Sequence, residues 1–182
     1  AGQDKLTANQ QIADLVQALG CGTRKHYREE ELRYDRVIIM TDADVDGAHI
    51  ASLLITFFYR EMPDLIRNSH LFLAVPPLYR ISQGGKTAYA RDDAHKDELL
   101  RTVFTGRGKV EIGRFKGLGE MRADQLKETT MDPARRTLLR VQVDEDYADE
   151  TRNTVDELMG TKPEARFRFI QDRAAFVEEL DI

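Results

Sequence analysis

Cysteine is nearly absent from this sequence. Cys21 stands alone, so an internal disulfide framework is excluded and a reducing compartment is the natural setting. No apolar run approaches the roughly 18 residues of a membrane helix, which argues against a helical span and against a membrane partner. The opening Ala1-Gly2-Gln3-Asp4 has neither the basic nor the apolar region of a secretion signal. A cytoplasmic protein is therefore expected, and the lack of an initial methionine marks the chain as an expected piece of a longer one. Internal repeats and low-complexity tracts are missing as well. There is no excess of positive charge either: 27 Lys and Arg face 32 Asp and Glu, for a net charge of −5. Bulk charge gives no reason to expect nucleic acid, although it says little about local patches.

What is present is an ordinary soluble composition, 41% hydrophobic and 32% charged, in a chain of 182 residues, long enough for one core or one core with a subdomain. Its most informative stretch is Val37-Ile38-Ile39-Met40-Thr41-Asp42-Ala43-Asp44-Val45-Asp46-Gly47-Ala48-His49-Ile50. Four apolar residues in a row, three of them β-branched, predict a buried strand. On extended backbone Asp42, Asp44 and Asp46 would share one side. Three crowded carboxylates repel one another, and hard oxygen ligands suit Mg²⁺ or Mn²⁺. The plain alternative is a solvated acidic turn closing a βα unit. Its position weighs against that, since ligands in open α/β sheets bind beyond the carboxyl ends of strands. An EF-hand loop also opens Asp-x-Asp-x-Asp-Gly. Its twelfth position requires Glu, and here it is Leu53, behind a strand rather than a helix.

Elsewhere the pattern predicts an α/β fold. Ile12, Leu15, Val16 and Leu19 mark a helix from an N-cap at Thr7 to Gly20. The charged stretch from Cys21 to Asp35 reads as a solvated loop, with phosphate contact by Lys25, His26, Tyr27 or Arg28 as the lesser reading. Ile50, Leu53, Leu54, Phe57 and Phe58 continue one helical face to about Arg60, and Pro63 starts a short second helix. His70 to Val75 predicts a second strand parallel to the first, making a βαβ unit. Leu78 to Ser82 and Thr87 to Arg91 form a hairpin around Gly84-Gly85. A helix follows from Asp92 or Asp93, then a short strand over Lys109 to Gly113. Gly113-Arg114-Phe115-Lys116-Gly117-Leu118-Gly119-Glu120-Met121 places glycines beside cations before a helix over about Glu120 to Lys127. Lys116, Gly117 and Gly119 there could border a phosphate or a metal site. Leu138 to Val143 is a further strand. Helix resumes from Asp146, breaks at Gly160, and restarts at a capping box, Thr161-Lys162-Pro163-Glu164. The last helix, to about Leu180, carries Arg166, Arg168 and Arg173 beside Phe167, Phe169, Ile170 and Phe176. Its aromatics are expected to pack and its cations to stay solvated.

Two of these motifs carry a resemblance. Ile39-Met40-Thr41-Asp42-Ala43-Asp44-Val45-Asp46-Gly47-Ala48-His49-Ile50 together with Phe115-Lys116-Gly117-Leu118-Gly119-Glu120-Met121 resembles the B subunit of the bacterial type IIA DNA topoisomerases, and Leu158-Met159-Gly160 is similar to its carboxy-terminal end. Ala48 to Leu54 and Thr87 to Lys96 resemble the topoisomerase IV branch more than the gyrase branch. The resemblance implies a Toprim-like parallel sheet flanked by helices, a small α+β extension and C-terminal helices. It divides the chain into a Toprim core at 1–76, the remaining Toprim region at 77–145 and a helical tail at 146–182. It implies Asp42, Asp44 and Asp46 as ligands for Mg²⁺ (Mn²⁺ as second choice), and His49 and Arg166 as DNA contacts. It also implies an A₂B₂ heterotetramer in which the A subunit carries the nucleophilic tyrosine and ATP binds another part of the B subunit.

One departure accompanies the match. The family's first Toprim strand ends in Glu-Gly-Asp-Ser, whose Glu is a metal ligand and general acid/base, and no such tetrapeptide occurs here. The chain taken alone is therefore expected to lack the first strand and a catalytic residue, and to be inactive in cleavage. Rival expectations are a gyrase B segment, a DNA- or subunit-docking module without chemistry, and an Asp-x-Asp phosphotransferase of the haloacid dehalogenase type.

Overall fold

The computed structural model describes residues 9–174. Mutual contacts divide the chain into two compact units. One comprises Ala1–Val37, Ser52–Leu71 and Arg140–Ile182, and the other Ile38–Ala51 and Phe72–Leu139. Helices and short strands are interspersed along the chain, giving the mixed α/β class expected.

In the first unit, α1 (Gln10–Leu19) presents its apolar stripe and buries Leu19. Asn9 caps it, its Oδ1 accepting the Ile12 N–H at 3.2 Å. The expected cap, Thr7, lies outside the described residues, as do Ala1 to Asp4, Phe176 and Leu180. Gly20 ends the helix at φ 79°, the left-handed conformation that lets its N–H reach Val16 O. The charged segment that follows is not a plain loop but two 3₁₀ turns, Arg24–His26 and Glu29–Glu31, with Cys21 fully buried before them. Its charged residues are exposed, as a solvated segment requires, yet Arg24 and Glu29 bond within the chain. Arg24 forks onto the buried Glu61 with two 2.6 Å bonds, which supplies the partner a buried carboxylate requires. The side chains of Tyr27, Asn68 and His70 all converge on Glu29.

The helix α2 (Val45–Glu61) delivers Phe57 and Phe58 to this core, their rings edge-to-face at 5.3 Å. Pro63 opens the short α3 (Pro63–Arg67), its missing N–H harmless at a first turn. Met62, Leu65 and Leu71 complete the core. Near the chain's end lie α6 (Ala148–Met159) and α7 (Pro163–Arg173). The expected capping box at Thr161 is not made: Lys162 is the N-cap and no side chain caps the helix. Nor do the α7 aromatics pack as expected. Phe167 and Ile170 are more than 60% exposed, and Arg173 stacks on Phe169 at 3.9 Å.

The second unit contains a hairpin sheet in the order β4 (Lys86–Ala90), β3 (Tyr79–Gln83), β5 (Glu111–Arg114). Gly84 and Gly85 link β3 to β4 with φ 56° and 83°, the two positive angles of a type I′ turn. Tyr79 pairs with Ala90 on one side and Arg114 on the other. Alternation along β3 then places Tyr79 and Ile81 in a core with Ala90 and Phe104, against Leu99, Leu100 and Val103 around α4 (Asp93–Thr102). Asp92 caps α4 through the His95 N–H.

A second sheet has the order β1 (Val37–Ile39), β2 (Leu71–Ala74), β6 (Leu138–Arg140). Strands β1 and β2 are neighbours joined through α2 and α3, the arrangement of the expected βαβ unit. Bonds from Val75 N to Thr137 O and from Val141 N to Leu71 O show β6 descending as β2 ascends, so that pair is antiparallel. Between β5 and β6 the expected helix over Glu120 to Lys127 is broken into a 3₁₀ turn (Leu118–Glu120), a four-residue α5 (Ala123–Leu126) and a π-helical turn (Lys127–Met131).

Candidate functional site

The acidic run does not continue the strand. β1 stops at Ile39 and α2 begins at Val45, midway through the run. Asp42, Asp44 and Asp46 are all exposed, but they do not alternate along one side of extended backbone as expected. Asp42 lies in the turn, Asp44 is the helix N-cap, and Asp46 belongs to the first helical turn. The reason is local. The Asp44 carboxylate accepts the Gly47 N–H at 2.7 Å, and its carbonyl takes the first helical bond from Ala48 N at 3.0 Å. This start within the motif also removes the EF-hand reading, which needs a loop where α2 lies.

Two glycines make Asp42 the centre of the arrangement. A Cβ on Gly47 would lie 2.1 Å from the Asp42 carbonyl oxygen, so only glycine lets the helix start so close to the turn. A Cβ on Gly117 would lie 2.8 Å from Asp42 Cγ and 2.9 Å and 3.0 Å from its oxygens. The glycine at 117 answers a close approach; its φ of −161° is ordinary extended backbone. From this position the Leu118 N–H donates to Asp42 Oδ1 at 2.7 Å. The glycine loop does cradle an anion, and that anion is this chain's own carboxylate.

Other bonds hold the loop in place. The Lys116 N–H donates to Glu120 Oε2 at 2.7 Å, the Phe115 N–H to Leu78 O at 2.8 Å, and Met121 is buried beneath. Nothing lies within 4 Å of a Cβ added at Gly119, so the chain itself leaves room for a side chain there, where at Gly117 it does not. The Lys116 side chain is exposed. His49 is exposed on α2, one turn beyond Val45. Arg166 belongs to the other unit, where its Nη1 donates to Leu158 O at 3.3 Å and Gly160 O at 2.6 Å, closing the turn from α6 to α7. Gly160 is required there, because a Cβ would lie 2.2 Å from Asp156 O.

Among the described residues no three carboxylate, histidine or cysteine side chains converge on one point, so no all-protein metal cage exists. The donor set nevertheless fits Mg²⁺. That ion is usually held by one or two carboxylates, with water and substrate phosphate completing its octahedron. The bonds from Leu118 and Gly47 use Oδ1 of Asp42 and of Asp44, leaving Oδ2 of each for a cation. The role of the Leu118 N–H in seating Asp42 leaves no mark in the sequence, because no residue type signals a backbone donor, and the Glu120 carboxylate that braces the loop at the Lys116 N–H reads as an ordinary helix-start acid.

The geometry brings together two motifs whose bonded residues, Asp42 and Leu118, lie 76 positions apart in the sequence, and comparison with known proteins matches a family to each. Residues 5–75 match the Toprim domain, and residues 107–171 match the carboxyl terminus of the DNA gyrase B subunit. Over its whole length the chain is 72% identical to the B subunit of DNA topoisomerase 4 from Bartonella bacilliformis, covering 26% of that protein. It is 64% identical to that of Caulobacter vibrioides, again over the whole chain and 26% of the relative. It is 45% identical to the B subunit of DNA gyrase from Spiroplasma citri over the whole chain, covering 28% of that protein. The chain thus spans about a quarter of the length of these relatives. It belongs to the B-subunit family of the bacterial type IIA DNA topoisomerases.

Proposed function

We propose that this chain supplies the carboxylate side of the double-strand DNA cleavage and religation centre in an ATP-dependent type IIA topoisomerase, within the topoisomerase IV branch. The observation that carries the reading is the convergence on Asp42, where the strand-to-helix turn and the glycine loop close on one carboxylate through Gly47, Gly117 and the Leu118 N–H. Asp42, Asp44 and Asp46 would hold Mg²⁺, or Mn²⁺, with DNA phosphate among the remaining ligands. When bound, such an ion stabilises charge on the scissile phosphate and the departing 3′ oxygen.

The chain's own residues orient and position. The Leu118 and Gly47 N–H groups fix the two carboxylates before DNA arrives, which matters because misplacement by about 1 Å can cost about 100-fold in rate. His49 and Lys116, both exposed in the same unit, face the DNA backbone. Arg166 contributes a DNA contact through the guanidinium nitrogens that its turn leaves over. None of the six tyrosines is the nucleophile. That residue comes from the A subunit in an A₂B₂ assembly, and ATP is handled by another part of the full-length B subunit. The setting is the bacterial cytoplasm, at the chromosome, where decatenation and relaxation serve segregation.

The test uses the full-length B subunit with either candidate A subunit on supercoiled and catenated plasmids, with and without ATP. Decatenation and relaxation without negative supercoiling fit this reading. Negative supercoiling assigns the chain to the gyrase line, a relationship that the Spiroplasma citri similarity keeps in view. Binding to the A subunit without metal-dependent cleavage makes it a docking module.

A further inference from the structure

The first unit contains a cavity of about 550 Å³ that the acidic turn does not use. Three arginines line it, Arg67 at the end of α3, Arg140 at the end of β6 and Arg152 on α6, against a single acidic side chain, Glu145. Their existing partners are weak competitors. Arg67 and Arg152 pair with Asp64 and Asp149 only one turn away on the same helix, all four side chains exposed, and exposed pairs of this kind contribute little. Among the described residues Arg140 donates to the neutral Gln142 amide oxygen, at 3.0 Å, and forms no ion pair. Three guanidinium forks drawn from three elements into one concavity form a geometry suited to bidentate recognition of phosphate oxygens. Ser69 adds a hydroxyl to the wall, and its φ of 64° is a left-handed conformation rare for a residue with a Cβ. Pro63, Ile66 and Val143 add apolar surface to the lining and Tyr59 an aromatic side chain, so the cavity suits an anion attached to a planar or apolar body.

We propose that this cavity is a binding site for a phosphate ester, carried either by a small phosphate compound or by a DNA backbone. The inference stands on the cavity alone and does not rest on the metal reading of the acidic turn.

The experiment compares the full-length B subunit with its Arg67→Ala/Arg140→Ala/Arg152→Ala form and with the single Arg152→Glu form. Calorimetric titration uses inorganic pyrophosphate, and a second titration uses a 20-base-pair duplex across a range of salt. Differences between proteins report on the cavity, whatever other phosphate sites the full-length protein has. A loss of pyrophosphate affinity of about tenfold or more in the triple variant identifies a small-phosphate site. Unchanged pyrophosphate titrations with a DNA salt slope lowered by about one per lost contact identify a backbone site. Arg152→Glu, a change at a side chain that is 65% exposed, must move the same readout in the same direction. The proposal is overturned if neither readout differs between wild type and the variants, or if only an acidic peptide competes for the cavity.

Discussion

Replacing Gly117 with alanine tests the arrangement around Asp42 most directly. The added methyl would stand 2.8 Å from Asp42 Cγ, well inside van der Waals contact. The side chain of Asp42 is short, so it can yield only by rotating away from the loop and stretching or breaking the 2.7 Å bond from the Leu118 N–H. A hydrogen bond to a charged group contributes about 1.5–3 kcal/mol, and Asp42 is exposed, so the lower end applies. Water replaces the lost partner, leaving a net stability change of about 1 kcal/mol, a shift of about 2–4 °C for a protein domain of this size. The functional effect is expected to be much larger. A carboxylate displaced by about 1 Å from its metal-binding position should lower cleavage by about 100-fold. The assay is Mg²⁺-dependent cleavage of supercoiled plasmid by the full-length B subunit together with the A subunit, run beside thermal unfolding. Gly119→Ala is the control, because a Cβ there meets nothing within 4 Å. Near-normal cleavage by Gly117→Ala, or equal losses in the two variants, would refute the reasoning.

Asp44→Asn should retain the Oδ1 cap on the Gly47 N–H, and hence stability, while greatly reducing cleavage and sparing ATP hydrolysis; Asp44→Ala should lose about 1 kcal/mol more as the cap goes. Loss of ATPase with normal cleavage would contradict that assignment. His70 carries a pH dependence. The Asp35 carbonyl on Nδ1 raises its pKa, burial opposes this, and Glu29 on Nε2 raises it further, leaving it above 6.5. Its contribution is therefore complete below about pH 6.5 and fades as pH rises through the raised folded value. Burial pushes Glu29 up, but hydrogen bonds from Tyr27, Asn68 and His70 outweigh it and leave its pKa below 4.5. Its contribution holds above about pH 4.5 and is lost as pH falls through the lower folded value. Urea unfolding of wild type and His70→Gln from pH 4 to 9 should show the high-pH decline only in wild type. Arg166→Ala should destabilise the α6–α7 turn by about 1–3 kcal/mol, read by denaturant melts. DNA titrations of the same variant then show whether a phosphate contact is lost too, as a salt slope smaller by about one. Thr161→Ala should change stability by less than about 0.5 kcal/mol, because no capping bond exists to lose.

Local chemistry made much of this legible in advance. Gly20 as a left-handed stop, Gly84-Gly85 as a type I′ turn and Pro63 at a helix start follow from backbone sterics that hardly depend on the rest of the chain. Apolar periodicity marks α1, β1 and α2 in the same way, but not the division of the stretch from Glu120 to Lys127 into short turns. It could not foresee that Asp44 caps α2, because an acidic residue after a strand suits a metal turn and a helix N-cap equally well. Thr161 had the right neighbours for a cap but not the required position, since α7 starts from Lys162.

By itself, then, the sequence determined the α/β class, the acidic turn after the first strand and the family to which both long motifs point. Tertiary structure decided what those motifs do to each other. Gly117 and Asp42 are remote in the chain, and only folding brings a missing side chain against a carboxylate closely enough for the Leu118 N–H to hold it. The three arginines of the cavity are likewise scattered over α3, β6 and α6 and leave no local pattern. Periodicity and propensity act over a few residues, whereas these contacts depend on which distant backbone lies within a few ångströms, a property of packing alone.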